Sequence, residues 1–158
     1  MHPERPLLTP EGKTRLMAEL EELRTTKRAE VADRLRVSRE EGPGDAGDNT
    51  QYLETQRDLA LLETRIATIE RTLAQAEIVE SGPPRDGAIG LGSCVVVRDE
   101  DGEEETYNVV GAAEANPRQG LISYESPVGH ALLHHRAGDI VAVETPSGTR
   151  RITVVSVQ

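Results

Sequence analysis

The sequence predicts an antiparallel two-helix coiled coil followed by a small α+β domain with an antiparallel sheet and one short helix. Two observations carry this. Apolar residues recur every three or four positions up to about residue 80 and every second position beyond residue 88, the spacings at which helix and strand side chains share a face. Segments rich in glycine and proline, at residues 42–47 and 81–87, separate the regular stretches. Residues 1–80 therefore form the hairpin, with an acidic tip at 42–49; residues 81–87 are a linker, and residues 88–158 are the second domain.

Residues 1–8 are proline-rich and irregular up to Leu7 and Leu8. Thr9 and Pro10 open the first helix, because threonine is a good N-cap and proline at the first helical position gives up an N–H that would have no partner there. Leu16, Leu20 and Leu23, then more loosely Val31, Leu35 and Val37, make a narrow apolar stripe on a charged rod. Lys27 falls at a seam-like position and loosens the middle.

Residues 40–52 read E-E-G-P-G-D-A-G-D-N-T-Q-Y. Gly42, Pro43, Gly44 and Gly47 cannot share a helix interior, where each glycine costs about 1 kcal/mol and proline about 3 kcal/mol relative to alanine. The chain turns here, and the turn carries Asp45 and Asp48. Asp48 or Asn49 suits the N-cap of the following helix, and such capping is the plain reading of both acids, Asp45 and Asp48.

The second helix has the cleaner pattern. Tyr52, Leu59, Leu62, Ile66, Ile69, Leu73 and Ala76 alternate by three and four with one gap, at Thr55. That is a heptad repeat, and the short connection makes the first helix its antiparallel partner. Two helices of about thirty residues at about 1.5 Å rise are each on the order of 40 to 45 Å long.

Beyond the linker the period is two. Residues 93–98 and 106–110 flank the turn D-E-D-G at 99–102 as a hairpin, and residues 121–124 form a third strand. Ser126 and Pro127 open a short helix to about Leu133; residues 140–144 and 151–157, separated by the turn residues P-S-G at 146–148, complete five strands. Phenylalanine and tryptophan are absent and Tyr52, Tyr107 and Tyr124 are the only aromatics, so neither part has a large core of rings.

The formal net charge of −10 is shared equally by residues 1–80 and the remainder. Free duplex nucleic acid is therefore not the expected main partner, since such binding is driven by clustered lysine and arginine. Cys94 is the single cysteine, which excludes an internal disulfide and a cysteine zinc site; a small buried strand residue is expected there. His130, His134 and His135 lack partnering acids or cysteines in the pattern and are read as solvent-facing. No apolar run approaches the roughly 18 residues of a membrane span, and the N-terminus lacks the apolar core of a signal peptide. A soluble, cytoplasmic protein is expected, with no membrane partner.

These residues resemble the bacterial Gre transcript cleavage factors over nearly the whole chain. The resemblance is carried by L-T-P-E-G at 8–12, by G-D-A-G-D-N-T-Q-Y at 44–52, which is similar to the family's G-D-L-x-E-N-x-x-Y, and by L-I-S-Y-E-S-P-V-G-H-A-L-L at 121–133 with G-D-I-V-A-V-E-T-P-S-G at 138–148. It implies an FKBP-like second domain that docks on RNA polymerase through Ser126 and Pro127, and a coiled coil that enters the polymerase secondary channel. It implies further that Asp45 and Asp48 are the catalytic and metal-ligating pair, helping to retain Mg²⁺ supplied in the polymerase active site, with none bound by the isolated chain. Two exposed carboxylates suit Mg²⁺, which takes one or two of them and keeps several waters. By the same resemblance Asn49 and Tyr52 shape the tip, and Arg39 matches the arginine of the family's A-R-E-x-G-D stretch and faces the channel or the nascent RNA 3′ end. The chain is then a cofactor protein rather than an enzyme, a monomer when free, with weak DNA binding at most.

The tip departs from the family pattern. Gly42 and Pro43 look like a two-residue insertion, Asp48 stands in place of glutamate, and Ala46 replaces the usual larger apolar residue. A factor that occupies the same channel and inhibits transcription without stimulating cleavage is the first alternative. The second, from another class, is an FKBP-type peptidyl-prolyl isomerase, for whose pocket only Tyr107 and Tyr124 offer rings. Lys27, Arg28, Arg34, Arg36 and Arg57 are basic residues that either line a functional face or form ordinary helix ion pairs.

Overall fold

The computed structural model describes residues 5–40, 49–82 and 85–158. They form two compact units: residues 14–74 make one, and residues 1–13 together with 75–158 make the other. The sequence boundary at residue 80 is displaced because both ends of the hairpin are tied into the second unit. Strand β1 (Leu7–Leu8) pairs in parallel with β2 (Glu77–Ile78), and Glu77 N–H donates to Pro6 O and Val79 N–H to Leu8 O, both at 2.9 Å. Residues read as irregular and as the end of a helix thus form a small sheet of their own.

Helix α1 (Pro10–Glu22) starts where the sequence predicts. Thr9 is its cap: the Thr9 hydroxyl accepts from Gly12 N–H at 2.9 Å and Thr9 O accepts from Lys13 N–H at 2.9 Å. A π-helical segment, Leu23–Lys27, leads into α2 (Arg28–Glu40), and α3 (Asn49–Gln75) returns alongside. The hairpin is antiparallel, as the ion pairs Arg24 with Glu70, Arg28 with Glu63 and Arg34 with Asp58 show.

The π segment was not expected, yet the apolar pattern contains its cause. Leu16 and Leu23 are seven residues apart, a heptad, whereas Leu23 and the next buried seam residue, Val31, are eight apart. A wider turn absorbs the extra residue and keeps the stripe facing α3. Arg28 N–H accordingly reaches back five residues to Leu23 O. Lys27, the seam-like position, is exposed within this turn. On α3 the seam is regular: Thr55, Leu62, Ile66 and Ile69 are buried, and Thr55 fills its gap by donating its hydroxyl to Gln51 O at 2.9 Å.

The other unit is built on a five-stranded sheet of order β5-β4-β3-β7-β6, comprising β3 (Cys94–Arg98), β4 (Glu104–Val110), β5 (Leu121–Ser123), β6 (Ile140–Thr145) and β7 (Gly148–Val157). The five strands match the expectation, but an antiparallel sheet does not: β4 and β5 run parallel, making the sheet mixed. Parallel neighbours need a returning connection rather than a tight turn. Residues 111–120 supply it with two 3-10 turns, Ala112–Glu114 and Pro117–Gln119. The core beneath the sheet is aliphatic, with Ile89, Val95, Val109, Leu132 and Val154 almost fully buried, and helix α4 (Pro127–Leu132) contributes Leu132. Cys94, expected to be buried, is only half-buried on β3.

Candidate functional site

The tip residues Asp45 and Asp48, with Gly42, Pro43, Gly44, Ala46 and Gly47, lie outside the described residues. Asn49 opens α3, and its side chain is likewise outside what the structure describes. The neck just below the tip is described. The Arg39 guanidinium carbon stands 6.0 Å from the Tyr52 ring centroid, within range of a cation–π attraction. Gln56 Nε2 donates to the Tyr52 hydroxyl at 2.9 Å. Tyr52, half-buried, is thus held on its face by α2 and at its oxygen by α3 itself. Gln56 was not singled out in the sequence; its position four residues after a half-buried tyrosine was the only available signal.

The other basic residues divide by partner. Arg28 makes a two-pronged contact with Glu63 at 3.1 and 2.9 Å, and Arg34 pairs with Asp58 at 3.2 Å. Arg36 bonds Asp33 and Glu40, which raises its guanidinium pKa above the ordinary value, the bond to Asp33 first and that to Glu40 second. Lys27 lies 3.5 Å from Glu30, and Arg57 is exposed. Most of this charge fastens the two helices or one helix to itself, and Arg39 is the basic residue set against a ring.

In the second unit Ser126 and Pro127 occupy the first turn of α4. The Ser126 hydroxyl accepts from Gly129 N–H at 3.1 Å, which caps the helix, and donates its one proton to Ser123 O at 2.7 Å. Both residues line an open groove of about 570 Å³, together with Tyr107, Ile122, Val128 and Pro146. Tyr107 is the one ring in that lining; Tyr124 packs against the aliphatic core instead. The groove therefore lacks the ring of aromatics that the isomerase alternative requires.

His130 and His134 are exposed, as expected. His135 is half-buried, its Nδ1 3.3 Å from Asp139 Oδ2. Asp139 is held below the usual carboxylate range, first by the Arg136 N–H it accepts and then by His135. Among the described residues no group of three or more His, Cys, Asp and Glu side chains is placed to hold a metal, and no described helix is long and apolar enough to cross a membrane.

A buried carboxylate that sequence reasoning passed over fixes the base of the hairpin. Glu114 accepts from Thr9 N–H at 2.9 Å, from the Thr9 hydroxyl at 2.6 Å and from Gly111 N–H at 3.1 Å. The approach on both sides is close: a Cβ on Gly12 would fall 1.7 Å from Glu114 Oε1 and displace the carboxylate, and one on Gly111 would fall 1.9 Å from the backbone oxygen of Leu7.

Two family models match the chain. One, described as transcription elongation factor, GreA/GreB, C-term, matches residues 84–158, and the other, transcription elongation factor, N-terminal, matches residues 6–78. Transcription elongation factor GreA of Chloroflexus aggregans is 45% identical over 152 residues, covering 96% of each chain. The GreA of Listeria welshimeri is 40% identical over 148 residues, covering 93% of this chain and 91% of its own. Among solved structures, GreA factor homolog 1 (Gfh1) of Thermus thermophilus is 36% identical, covering 96% of this chain and 97% of that one with a TM-score of 0.42. With matches to both halves and relatives of this identity along almost its whole length, the chain belongs to the GreA/GreB family of transcription elongation factors.

Proposed function

We propose that the chain binds RNA polymerase, inserts its helical hairpin into the secondary channel, and stimulates cleavage of backtracked RNA through Asp45 and Asp48. The observation that carries this reading is the sequence position of the two aspartates in a family member: they fall between the end of α2 and the start of α3 in an antiparallel, ion-paired hairpin. A narrow rod of two helices about 10–12 Å across each suits entry into a channel.

The two aspartates are hard oxygen donors of the kind Mg²⁺ accepts while retaining waters, so they are the residues that would hold the ion with the polymerase. When bound there, the metal supplies charge stabilisation and an activated water for attack on a phosphodiester. The chain's own contribution is ligation and placement. Arg39, Tyr52 and Gln56 brace the last turn of α2 against the first turns of α3. Mixing the purified chain with a backtracked elongation complex and Mg²⁺ shortens the RNA from its 3′ end. Asp45→Asn with Asp48→Asn lowers that rate at least a hundredfold, the scale on which a catalytic ligand is lost or misplaced by about 1 Å. RNA of unchanged length, or equal cleavage by the double variant, removes the catalytic claim.

The departures at Gly42, Pro43, Ala46 and Asp48 favour one second reading, a factor that occupies the channel and slows nucleotide addition without cleavage. Slowed addition that survives replacement of both aspartates distinguishes it.

A further inference from the structure

The groove beside α4 has a polarity that neither its helix cap nor family membership explains. Two hollows adjoin there and share Glu105, Tyr107, Val128 and Thr145. The floor is apolar, formed by Ile122, Pro127, Val128 and Pro146 along the larger hollow and by Val143 and Ile152 beneath the smaller. At about 570 Å³ the larger one has the size of an ordinary binding cleft.

The lining is strongly acidic. The β3–β4 turn and its flanks read D-E-D-G-E-E-E at 99–105, and Asp99, Glu103 and Glu105 line the smaller hollow, with Glu144 on the larger. Their present duties are unequal. Asp99 Oδ1 accepts from the N–H groups of Asp101 and Glu103 and so builds the turn, and Asp99 Oδ2 lies 3.6 Å from Arg150. Glu105 accepts from the Tyr107 hydroxyl. The Glu103 and Glu144 carboxylates, both exposed, hold no hydrogen bond or ion pair within the described residues. Arg150 is the single basic side chain in the lining.

We infer that this groove receives an extended, basic segment of a protein partner, with aliphatic side chains on Ile122, Val128 and Pro146 and an arginine or lysine at the Glu103–Glu105 end. A long cationic side chain is what the surface asks for: its methylene stem lies on apolar floor while its head stays at the wet, acidic rim. Arg150 beside Asp99 already shows that rim taking a guanidinium. The same carboxylates repel phosphate, which excludes a nucleic-acid backbone as the occupant. The inference rests on the docking reading of Ser126 and Pro127 for the partner's presence at this face, and adds the chemistry of the partner and the residues that select it.

The test uses the whole chain labelled with ¹⁵N and two capped hexapeptides, Val-Arg-Leu-Arg-Val-Arg and its glutamate counterpart Val-Glu-Leu-Glu-Val-Glu. The basic peptide shifts the amide signals of Tyr107, Val128 and Thr145, the acidic one does not, and Glu103→Gln with Glu105→Gln weakens the basic peptide roughly tenfold, two rim pairs at under about 1 kcal/mol each. The double variant keeps the wild-type pattern of sheet amides, since both side chains are exposed. No shift with the basic peptide, equal shifts with both, or an affinity unchanged in the double variant overturns the inference. Polymerase affinity is measured in parallel on the same proteins. A wild-type chain that takes the basic peptide but not the polymerase keeps the groove and ends the docking reading; polymerase bound equally by wild type and double variant keeps docking and ends the inference.

Discussion

The hairpin and the sheet unit are held together by different physics. Residues 14–74 have a seam one residue wide, with Leu16, Leu20, Val31, Leu62, Ile66 and Ile69 buried, and exposed ion pairs beside it, Arg65 with Glu19 at 2.7 Å and Arg28 with Glu63 at 2.9 Å among them. Among the described residues, the sheet unit has one cluster of nine buried aliphatic side chains. Exposed pairs contribute about 0–1 kcal/mol each, whereas a fully buried aliphatic side chain contributes about 1.5–3 kcal/mol. The hairpin is thus specified by buried side chains strung out along its length with weak ion pairs beside them, and the sheet unit by buried side chains gathered in one place.

The largest way to sharpen that contrast is to empty each core once. Leu132→Ala and Ile69→Ala remove side chains of similar size that are 0% and 1% exposed. Both fall in the usual range of about 2–5 kcal/mol, and Leu132→Ala falls at the upper end, because a seam open to solvent on both flanks can close over a lost side chain and an enclosed cluster cannot. Urea unfolding followed by far-ultraviolet dichroism for the helices, and by amide exchange for the sheet, separates the two. Equal losses would mean that the seam packs as rigidly as the cluster.

Next in size is the clasp at Glu114. Glu114→Ala leaves Thr9 N–H, the Thr9 hydroxyl and Gly111 N–H without their acceptor in a buried setting, a loss of roughly 3 kcal/mol. The expected reading is faster exchange at Thr9 and Gly12 with little change at Leu62 or Ile66. Gly12→Ala attacks the same clasp from the other side, since Glu114 can move off the new Cβ only by giving up its bonds to Thr9. Unaltered exchange at Thr9 in both variants would show that the strand pair β1–β2 holds this end unaided.

What the sequence made legible follows the same division. The α3 seam could be read from spacing alone, as could the Thr9 and Ser126 caps, because each depends on residues within one or two turns. Even the π segment was written in the eight-residue step from Leu23 to Val31, although a simple count of apolar positions passes over it. The features that were missed join residues far apart: Leu7 with Glu77, Thr9 with Glu114, Asn108 with Leu121 in the parallel pair. Nothing local in a glutamate at 114 distinguishes a buried acceptor from a solvated charge. The candidate site divides in the same way. The Gly-Asp-x-x-Asp-Asn run falls, up to Asp48, outside the described residues, and Tyr52 was legible from the α3 spacing, but the acidic lining of the groove comes from a turn, two strands and a helix that meet only in the folded chain.

A smaller effect tests whether the hairpin's ion pairs act at all. A double-mutant cycle on Arg28→Ala and Glu63→Ala isolates the two-pronged contact at 3.1 and 2.9 Å. Both partners are about half exposed, so the coupling is under about 1 kcal/mol and shrinks further in 1 M salt. A coupling well above that, unchanged by salt, would mean the pair is shielded from water and the hairpin is less open than its accessibility indicates.

The least effect on stability, and the most specific to the groove, comes from Tyr107. Its phenol is pushed up to about 12, first because it is partly withdrawn from water and second because it donates to the Glu105 carboxylate. The folded state therefore favours the neutral phenol relative to an unfolded chain, where tyrosine ionises near about 10. The stabilisation is complete below about pH 10 and is lost as the pH rises from there to about 12, since the unfolded chain then gives up its proton more readily. A phenolate absorbance titration shows one late-ionising tyrosine in the wild type. Glu105→Gln brings it down part of the way, because burial, the larger cause, remains. A full return to the ordinary value would assign the whole effect to the carboxylate and make the acidic lining of the groove stronger than its exposure implies; no change at all would remove Glu105 from the site.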